Sequence, residues 1–264
     1  MRQTQSSTTQ NIPLRLAMIK SEYTFNNINH ILDVGTPLSI FESYIISYHH
    51  YIDFIKFGWG SVLIDNEFPS KKRLCESHGI KPLLGGTFFE YMIHHYNFES
   101  FLAKIDEYNL QYIELSRGTI SILDSTYENY IRRLSAEYFV MSEVGRKVSD
   151  QFTDLTQQQW IDHCVLSVDA GANLIILESR ESGLSGYVSP EGSINKQLID
   201  SIVQQIPIDL LLFEAPIKSV QSALINNFGC QINLGNIRLS DVLSVQSLRM
   251  GLRSDTLLSV QPQM

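Results

Sequence analysis

The sequence predicts a single (β/α)8 barrel, and three observations support that prediction. The chain has 264 residues, close to the ~250 that one such barrel needs. Eight short apolar runs of strand type recur along it, separated by longer segments with helical spacing. Apolar strands that alternate with helices are typical of a parallel sheet buried beneath helices. Eight such units within the length of one domain favour a closed barrel.

The predicted strands are short, and most of them end near a glycine or a proline. In chain order they are HILDVG (30–35), DFIKFGWG (53–60), KPLLGG (81–86), YIELSRG (112–118), YFVMSEVG (138–145), LIILESRESG (174–183), LLLFEAP (210–216) and INLGNI (232–237).

The segments between the strands show the periodicity of amphipathic helices. In SFLAKIDEYNLQ (100–111) and QLIDSIVQQI (197–206), apolar residues recur three or four positions apart. That spacing places them on one face of a helix, which can then pack against the sheet.

An open, doubly wound sheet is the alternative architecture for this pattern. It lacks its usual support, because no G-x-G-x-x-G motif follows the first strand. We therefore predict a flexible N-terminal tail and lead-in at residues 1–27 and one barrel at residues 28–264.

Composition excludes several classes of partner. The 20 basic and 28 acidic residues give a net charge of −8, and no basic block suited to nucleic acid is present. No apolar run is long enough to span a bilayer, and the first residues lack a secretory signal. The three cysteines form no metal-binding or disulfide pattern. We expect a cytoplasmic protein that binds a small anionic substrate and neither nucleic acid nor membrane.

Polar residues recur where the predicted strands end. They are Asp33, Lys56, Glu114, Glu143, Glu178, Glu214 and Asn236, with Glu90 a few residues beyond the third strand. In parallel α/β folds the active site forms at the carboxyl ends of the strands. A lysine is rarely buried without a partner, so Lys56 within FIKFGWG is expected to face other charges at this rim.

Each acidic residue also has a purely structural interpretation. Asp33 could organise the turn at Gly-Thr-Pro, and Glu214 could pair with Lys218 on the next helix. Any of the others could cap a helix or lie in a solvated loop. The recurrence of charges across many strands favours a functional site.

Several longer motifs resemble those of the phosphosulfolactate synthase family, from about residue 30 to residue 256. They occur in family order as IDFIKFGWGS, GGTFFEY, IELSRGTI, SEVGRK, DAGANLIILESRESG, LLFEAPIKS, INLGNI and LRMGLRSDT. The resemblance implies a (β/α)8 barrel that adds sulfite to phosphoenolpyruvate with Mg²⁺. Two positions depart from the family pattern, since Val34 stands where a lysine is usual and Arg117 where an aspartate is usual.

The resemblance, together with the positions at the strand ends, suggests a role for each candidate residue. We expect Lys147 to donate the proton, with Lys56 and Glu114 as further catalytic residues. Glu143 and Glu178 are the candidate Mg²⁺ ligands, because Mg²⁺ prefers carboxylate oxygens. The candidate substrate-binding residues are Arg180, Ser182, Gly235, Asn236, Asp33, Glu90 and Arg117.

Two other functions stay open from the sequence. One is a paralogue that adds a different nucleophile to phosphoenolpyruvate or to a related phosphorylated acid. The other is a non-catalytic, stress-related family member. The cations and carboxylates at the strand ends favour an enzyme, and the oligomeric state is open, with a homo-oligomer as one alternative.

Overall fold

The computed structural model describes residues 25–146, 155–179, 186–189 and 192–261. Eight parallel strands close into a barrel in sequence order, with the first strand paired to both the second and the eighth. The strands are β1 (Asn29–Asp33), β2 (Phe54–Phe57), β3 (Lys81–Leu84), β4 (Tyr112–Leu115), β5 (Phe139–Val144), β6 (Leu174–Leu177), β7 (Leu211–Glu214) and β8 (Leu234–Arg238). The predicted (β/α)8 barrel is confirmed.

Nine α-helices surround the strands in the described part of the chain. They are α1 (Leu38–Tyr48), α2 (Phe68–Ser77), α3 (Gly86–His95), α4 (Phe98–Tyr108), α5 (Asp124–Leu134), α6 (Gln157–Ala170), α7 (Lys196–Val203), α8 (Lys218–Phe228) and α9 (Val242–Arg249). Within the described ranges, none of these helices is long and apolar enough to cross a membrane.

Both helices predicted from their periodicity are present with shifted ends. Helix α4 begins earlier than expected, because Asn97 caps it by accepting a hydrogen bond from Ser100 N–H, and it ends where Asn109 adopts a left-handed conformation. Helix α7 ends at Val203, before the predicted stretch does.

The second strand is shorter than its apolar run predicts. Strand β2 ends at Phe57, and the next residues form a turn in which Trp59 and Gly60 have positive φ angles of 56° and 65°. Gly58 N–H still donates to Asp33 O at 2.8 Å, so the turn begins against the end of β1. A left-handed conformation is incompatible with a strand, which explains the early end.

Alternation along each strand divides the core into two parts. Outward-facing residues such as Ile55 and Phe57 pack in the layer between strands and helices. Inward-facing residues fill the barrel interior, and they include Ile28, Phe54, Leu83, Met141, Leu174, Ile176 and Leu212. Because successive residues of a strand point to opposite faces, Lys56 shares the inward face of β2 with Phe54.

The two ends of the barrel interior differ in chemistry. At the amino-terminal end, the rings of Phe54, Tyr112 and Phe139 contact one another with centroids 5.6–5.9 Å apart, and Phe25 packs on Phe139 at 5.5 Å. At the carboxyl-terminal end the inward-facing side chains include Lys56, Glu114, Glu214 and Asn236, which are polar or charged. This end of the barrel interior, with the polar side chains around these four, is called the mouth below.

Candidate active site

Lys56 lies at the centre of the mouth, enclosed by carboxylates from two other strands. Its Nζ is 3.2 Å and 3.1 Å from the two carboxylate oxygens of Glu114 on β4. It is also 3.3 Å from Glu214 Oε1 on β7. The lysine is only 4% exposed, so its charge is compensated by these partners and little by water.

The carboxylates keep this lysine protonated. Burial by itself lowers the pKa of Lys56, but Glu114, Glu214 and Glu143 together raise it above its ordinary value. An ammonium with a raised pKa is a permanent point charge at neutral pH. Lys56 is therefore suited to attract an anion and unsuited to act as a base.

Two glycines at the start of α3 allow the mouth to pack this closely. A Cβ on Gly85 would come within 3.1–3.2 Å of the Lys56 methylenes, and one on Gly86 would lie 2.4 Å from Ser116 Cβ. Gly86 N–H donates to Glu114 Oε1 at 2.7 Å. The GG pair therefore brings the positive end of a helix onto the central carboxylate.

Glu214 is hydrogen-bonded through both of its oxygens. Oε2 accepts from Ser179 N–H at 3.0 Å, and Oε1 accepts from Lys56 and from Asn236 Nδ2. Burial raises the pKa of Glu214 to about 7; Lys56 opposes that rise, and Glu143 and Glu114 add to it. The alternative pairing with Lys218 is wrong, because Lys218 instead contacts Asp255 at 3.1 Å.

Glu114 has a raised pKa for the same reasons. Burial is the main cause and Glu143 adds to it, while Lys56 and Gly86 N–H lower the pKa. The mouth thus concentrates more negative than positive charge among the described residues. Such strongly perturbed groups in a cleft are typical of functional sites.

Ser116 connects two further carboxyl groups at the mouth. Its Oγ lies 2.6 Å from Glu90 Oε1 and 2.8 Å from Glu143 Oε1, and it accepts from Gly118 N–H at 3.2 Å. A hydroxyl has one proton to donate, so it satisfies only one of the two carboxylates at a time. This pair therefore needs a further positive charge or proton.

Glu178 lies beside the end of β5. A Cβ on Gly145 would fall 2.4 Å from Glu178 Cβ and 2.7 Å from its Oε2, and Gly145 has a φ of 151°. The glycine lets the Glu178 side chain pack directly against the backbone that follows Glu143. Both candidate metal ligands are thereby held on neighbouring strand ends, and both are buried.

His30 on β1 completes the described mouth, and the sequence interpretation missed it. Asn236 N–H donates to His30 Nδ1 at 3.3 Å, and Nε2 lies 3.9 Å from Glu114 Oε2. Burial, assisted by Lys56, holds the pKa of His30 well below its ordinary value. Because Nδ1 accepts a hydrogen bond, the neutral ring carries its proton on Nε2, towards Glu114. A Cβ on Gly235 would lie 3.3 Å from Nδ1, so the absence of a side chain there lets the ring pack against β8.

Two predicted substrate-binding residues do not join this cluster. Asp33 faces away from the barrel interior, where its Oδ2 is 3.2 Å from Lys71 Nζ on α2 and its Oδ1 accepts from Thr36 N–H. Asp33 therefore organises the turn at Gly-Thr-Pro, which was its structural interpretation from the sequence. Arg117 bonds Asp124, and its guanidinium lies 4.6 Å above the Tyr127 ring.

Three predicted residues lie outside the described residues, namely Lys147, Arg180 and Ser182. Of the remaining candidates, the structure brings together Lys56, Glu114, Glu90, Glu143, Asn236 and Gly235, with Glu178 beside them. His30 and Ser116 were missed, although strand alternation could have found both. His30 lies two residues before Leu32, the register partner of Lys56, and therefore points to the same side of the sheet. Ser116 lies two residues after Glu114 and likewise continues its face.

Comparison with known proteins identifies the family of this chain. The sequence matches the family model for (2R)-phospho-3-sulfolactate synthase over residues 24–255. It is 38% identical over 230 residues to the phosphosulfolactate synthase of Methanocaldococcus jannaschii, covering 86% of this chain and 92% of that protein. It is 36% identical over 227 residues to the phosphosulfolactate synthase of Bacillus subtilis, covering 86% and 90%.

Solved structures with little sequence similarity share the fold. The YdjI aldolase from Escherichia coli aligns with a TM-score of 0.55 at 8% identity, covering 94% of each chain. The HpcH/HpaI aldolase from Desulfitobacterium hafniense aligns with a TM-score of 0.52 at 8% identity, covering 84% of this chain and 91% of that one. At such identities the likeness concerns the barrel alone.

The family match spans most of the chain, and the relatives align along nearly their whole length. The charged mouth provides the polar constellation that an enzyme of this fold carries at the carboxyl ends of its strands. The chain is an enzyme and belongs to the phosphosulfolactate synthase family.

Proposed function

We propose that this enzyme adds a nucleophile to phosphoenolpyruvate with the assistance of Mg²⁺, and that sulfite is the default nucleophile. The observation that carries the proposal is the buried Lys56 at the centre of the mouth, held between Glu114 and Glu214. A fixed ammonium in a site that excludes water stabilises negative charge that develops during a reaction. The names of the two relatives support sulfite and a phosphorylated acid as the reactants.

In the proposed step, a sulfur lone pair of sulfite forms a bond to the methylene carbon of phosphoenolpyruvate. The carbon–carbon π electrons move towards the carboxylate, and a proton is then delivered to the adjacent carbon. No electron is gained or lost overall, and the phosphate is retained in 2-phospho-3-sulfolactate. The chain must therefore supply charge stabilisation and one proton donor.

The residues divide these tasks. Lys56 neutralises charge at the centre, and Lys147 is the proposed general acid. Arg180 is the proposed partner of the phosphate, because a guanidinium can bind it through two hydrogen bonds. Ser182, Asn236 and Gly235 are further proposed substrate contacts. Glu114 holds the ammonium of Lys56 in place through contacts of 3.1–3.2 Å.

The donor set at the mouth fits Mg²⁺. Four carboxylates, each at most 8% exposed, are connected through Lys56 and Ser116, namely Glu90, Glu114, Glu143 and Glu214, and the buried Glu178 lies beside the end of β5. In the described ranges, no group of three or more His, Cys, Asp or Glu side chains is arranged to hold a metal ion. Mg²⁺ commonly takes only one or two carboxylates and keeps several waters. Glu143 and Glu178 are the proposed ligands, and the bound ion would stabilise charge on the substrate carboxylate.

A direct assay tests the proposal. Purified protein is incubated with Mg²⁺, phosphoenolpyruvate and sulfite, and the product is detected by mass spectrometry as 2-phospho-3-sulfolactate. Reactions that lack one component serve as controls. A protein that binds phosphoenolpyruvate in calorimetry but forms no adduct with sulfite would contradict sulfite as the nucleophile. A protein that does not bind phosphoenolpyruvate would contradict the proposal as a whole.

We propose a cytoplasmic location for this activity. Two of the three cysteines, Cys75 and Cys164, are free thiols and are fully buried. Free thiols are typical of proteins in a reducing compartment. The non-catalytic alternative loses its support, since the mouth retains an enclosed cation among carboxylates.

A further inference from the structure

Two buried polar atoms face each other in the layer just below Lys56. His30 lies in this layer, because its register partner on β2 is Phe54, and its Nε2 is 3.9 Å from Glu114 Oε2. Neither atom has a hydrogen-bond partner in the described ranges, although Oε2 is also 3.1 Å from Lys56 Nζ. Buried polar side chains are almost always hydrogen-bonded, so a facing pair of exceptions needs a physical reason.

The ring of His30 is fixed in place and offers one donor. Its Nδ1 accepts from Asn236 N–H at 3.3 Å, and a Cβ on Gly235 would lie 3.3 Å from Nδ1. A neutral imidazole that accepts at Nδ1 donates at Nε2. Burial holds the pKa of His30 well below its ordinary value, which keeps the ring neutral. The Nε2–H group is therefore a donor of set direction beside Glu114.

The Glu114 carboxylate is anchored at one oxygen only. Oε1 accepts from Gly86 N–H at 2.7 Å, and this bond comes from the backbone at the start of α3. Oε2 has the ammonium of Lys56 at 3.1 Å and no second donor among the described residues. A rotation about Oε1 that brings Oε2 about 1 Å closer to His30 would give an ordinary hydrogen-bond length of ~2.9 Å.

Lys56 cannot serve its carboxylates and a substrate equally. Its ammonium has three N–H groups, and three carboxylate oxygens lie within 3.1–3.3 Å of Nζ. When it turns towards an anion in the mouth, Glu114 Oε1 keeps Gly86 N–H, and Glu214 Oε1 keeps the Asn236 amide. Glu114 Oε2 is the oxygen left without a donor, and a buried oxygen in that state is destabilising.

We propose that His30 is a positioning residue that takes over Glu114 when Lys56 turns to the substrate. The carboxylate pivots about its contact with Gly86, and Oε2 exchanges the ammonium for the Nε2–H group of His30 as its donor. The proton stays on Nε2 throughout, so the exchange is one of hydrogen bonds only. The inference rests on the proposed function, because it requires an anionic substrate at Lys56.

Two substitutions separate the roles of the two ring nitrogens. His30→Asn keeps an acceptor near the position of Nδ1 and has no group near Nε2, whereas His30→Gln reaches the position of Nε2 with an amide donor. We expect calorimetry to show about tenfold weaker binding of phosphoenolpyruvate for His30→Asn, because Oε2 then lacks a donor in the bound state. His30→Gln should stay within about threefold of wild type. His95→Asn, at an exposed histidine of α3, is the matched control and should bind as wild type does.

A purely structural role predicts the opposite order. If the ring serves only to accept from Asn236 N–H, His30→Asn retains binding and His30→Gln loses it. That order would overturn the proposal, and so would equal affinities in the two variants.

Nuclear magnetic resonance of the wild-type protein reads the contact without any substitution at His30. The Nε2 proton is assigned through its nuclear Overhauser contacts with the ring of Phe54, whose centroid lies 6.4 Å from that of His30. Saturation with phosphoenolpyruvate should move this proton downfield as it enters a hydrogen bond to a carboxylate. An unchanged proton signal with bound phosphoenolpyruvate would overturn the exchange of partners.

A measurement without substrate separates this inference from the function on which it rests. Lys56→Met removes the ammonium outright, so the Nε2 proton of His30 should move downfield in the free protein. Lys71→Met is the matched control, because Lys71 is also buried between carboxylates but on the outer face, and it should leave the signal unchanged. If phosphoenolpyruvate does not bind, the proposed function fails, and the signal in Lys56→Met still decides whether Glu114 turns to His30. No downfield shift in that variant would overturn the inference.

Discussion

Two buried cations lie at opposite ends of the barrel, and the chain treats them differently. Lys56 at the mouth and Arg249 at the amino-terminal end are each 4% exposed. Lys56 contacts carboxylates, and its pKa is raised. Arg249 contacts neutral oxygens, and burial lowers its pKa to about 10, although Asp53 opposes that shift.

Arg249 ties the end of α9 to the starts of two strands. Its guanidinium donates to Ile28 O at 3.1 Å, to Ile232 O at 2.7 Å and to Asn29 Oδ1 at 2.9 Å. It also donates to Cys230 O. Its donors are thus met by fixed acceptors, which makes it a structural link across the closure of the barrel between β1 and β8.

The surroundings of Lys56 have the opposite character. Several buried carboxylates face one ammonium, so charge is concentrated and incompletely balanced among the described residues. A buried cation whose hydrogen-bond donors all have acceptors stabilises the fold. A buried cation surrounded by an excess of negative charge is suited to binding and chemistry. The difference teaches that burial of a charge is informative only together with what that charge contacts.

Arg249→Met should have the largest effect on stability. The substitution leaves several buried carbonyl groups without a donor, so the free energy of unfolding should fall by about 3–5 kcal/mol. Urea denaturation measures it. Arg132→Met, at an exposed ion pair on α5, is the control and should change stability by no more than about 0.5 kcal/mol. A loss below about 1 kcal/mol for Arg249→Met would break the comparison.

Lys56→Met should instead act mainly on the reaction. Removing the central ammonium should lower kcat/KM by ~10²–10³-fold, as losing one electrostatic donor commonly does. Lys71→Met is a matched control, because Lys71 is also buried between carboxylates but faces the helices. We expect this control to lose stability while kcat/KM stays within about threefold. Steady-state kinetics with equal losses in both variants would contradict a special role for the mouth.

Lys147→Ala tests the proposed proton donor. Loss of a general acid should lower kcat by ~10²-fold or more, with binding of phosphoenolpyruvate largely intact in calorimetry. Lys104→Ala, at an exposed lysine of α4, is the control. If kcat stays within tenfold of wild type, another group delivers the proton.

Ser116→Ala should have a smaller effect, because it removes only the hydroxyl between Glu90 and Glu143. Loss of a group that orients a metal ligand typically costs ~10–100-fold in metal affinity. We expect the Mg²⁺ concentration for half-maximal activity to rise by about tenfold. Ser142→Ala is the control, since Ser142 is equally buried but bonds Tyr127 and Ser167 on the outer face. An identical Mg²⁺ dependence in both variants would argue against Glu143 as a ligand.

The last prediction concerns the pH dependence of stability at the mouth. The Glu214 carboxyl ordinarily titrates near 4.5, and burial raises its pKa to about 7 in the fold. Between these values the folded chain holds a proton that the unfolded chain has released. The contribution is therefore complete below pH 4.5 and is lost as the pH rises through 7.

Urea denaturation at pH 5, 6, 7 and 8 in the presence of EDTA measures this contribution. Glu214→Gln should flatten the fall of unfolding free energy over this range, whereas Glu128→Gln at the surface should leave it unchanged. An unchanged slope in Glu214→Gln would indicate that Glu214 is ionised throughout.

Much of the fold could be predicted from the sequence because its signals are local. Each of the eight strands is a short apolar run followed by a break, and all eight are present. The lysine in FIKFGWG indicated a charged strand end, and it lies at the mouth among carboxylates. Glu114 and Glu143 were expected there for the same reason.

What the sequence by itself determined is the alternation of strands and helices along the chain and the strand ends that carry charge, because periodicity specifies them, and the chain length favoured a closed barrel. Only the tertiary structure decided which of those charges meet. Asp33 and Lys56 both lie near strand ends, yet their side chains point to opposite faces of the sheet. Asp33 therefore contacts Lys71 on the outer face, whereas Lys56 contacts Glu114 and Glu214 inside the barrel. His30 joined the site, and Glu214 took Lys56 as its partner in place of Lys218, through contacts between residues far apart in the chain. Such contacts depend on the register between strands around the barrel, which local sequence patterns do not encode.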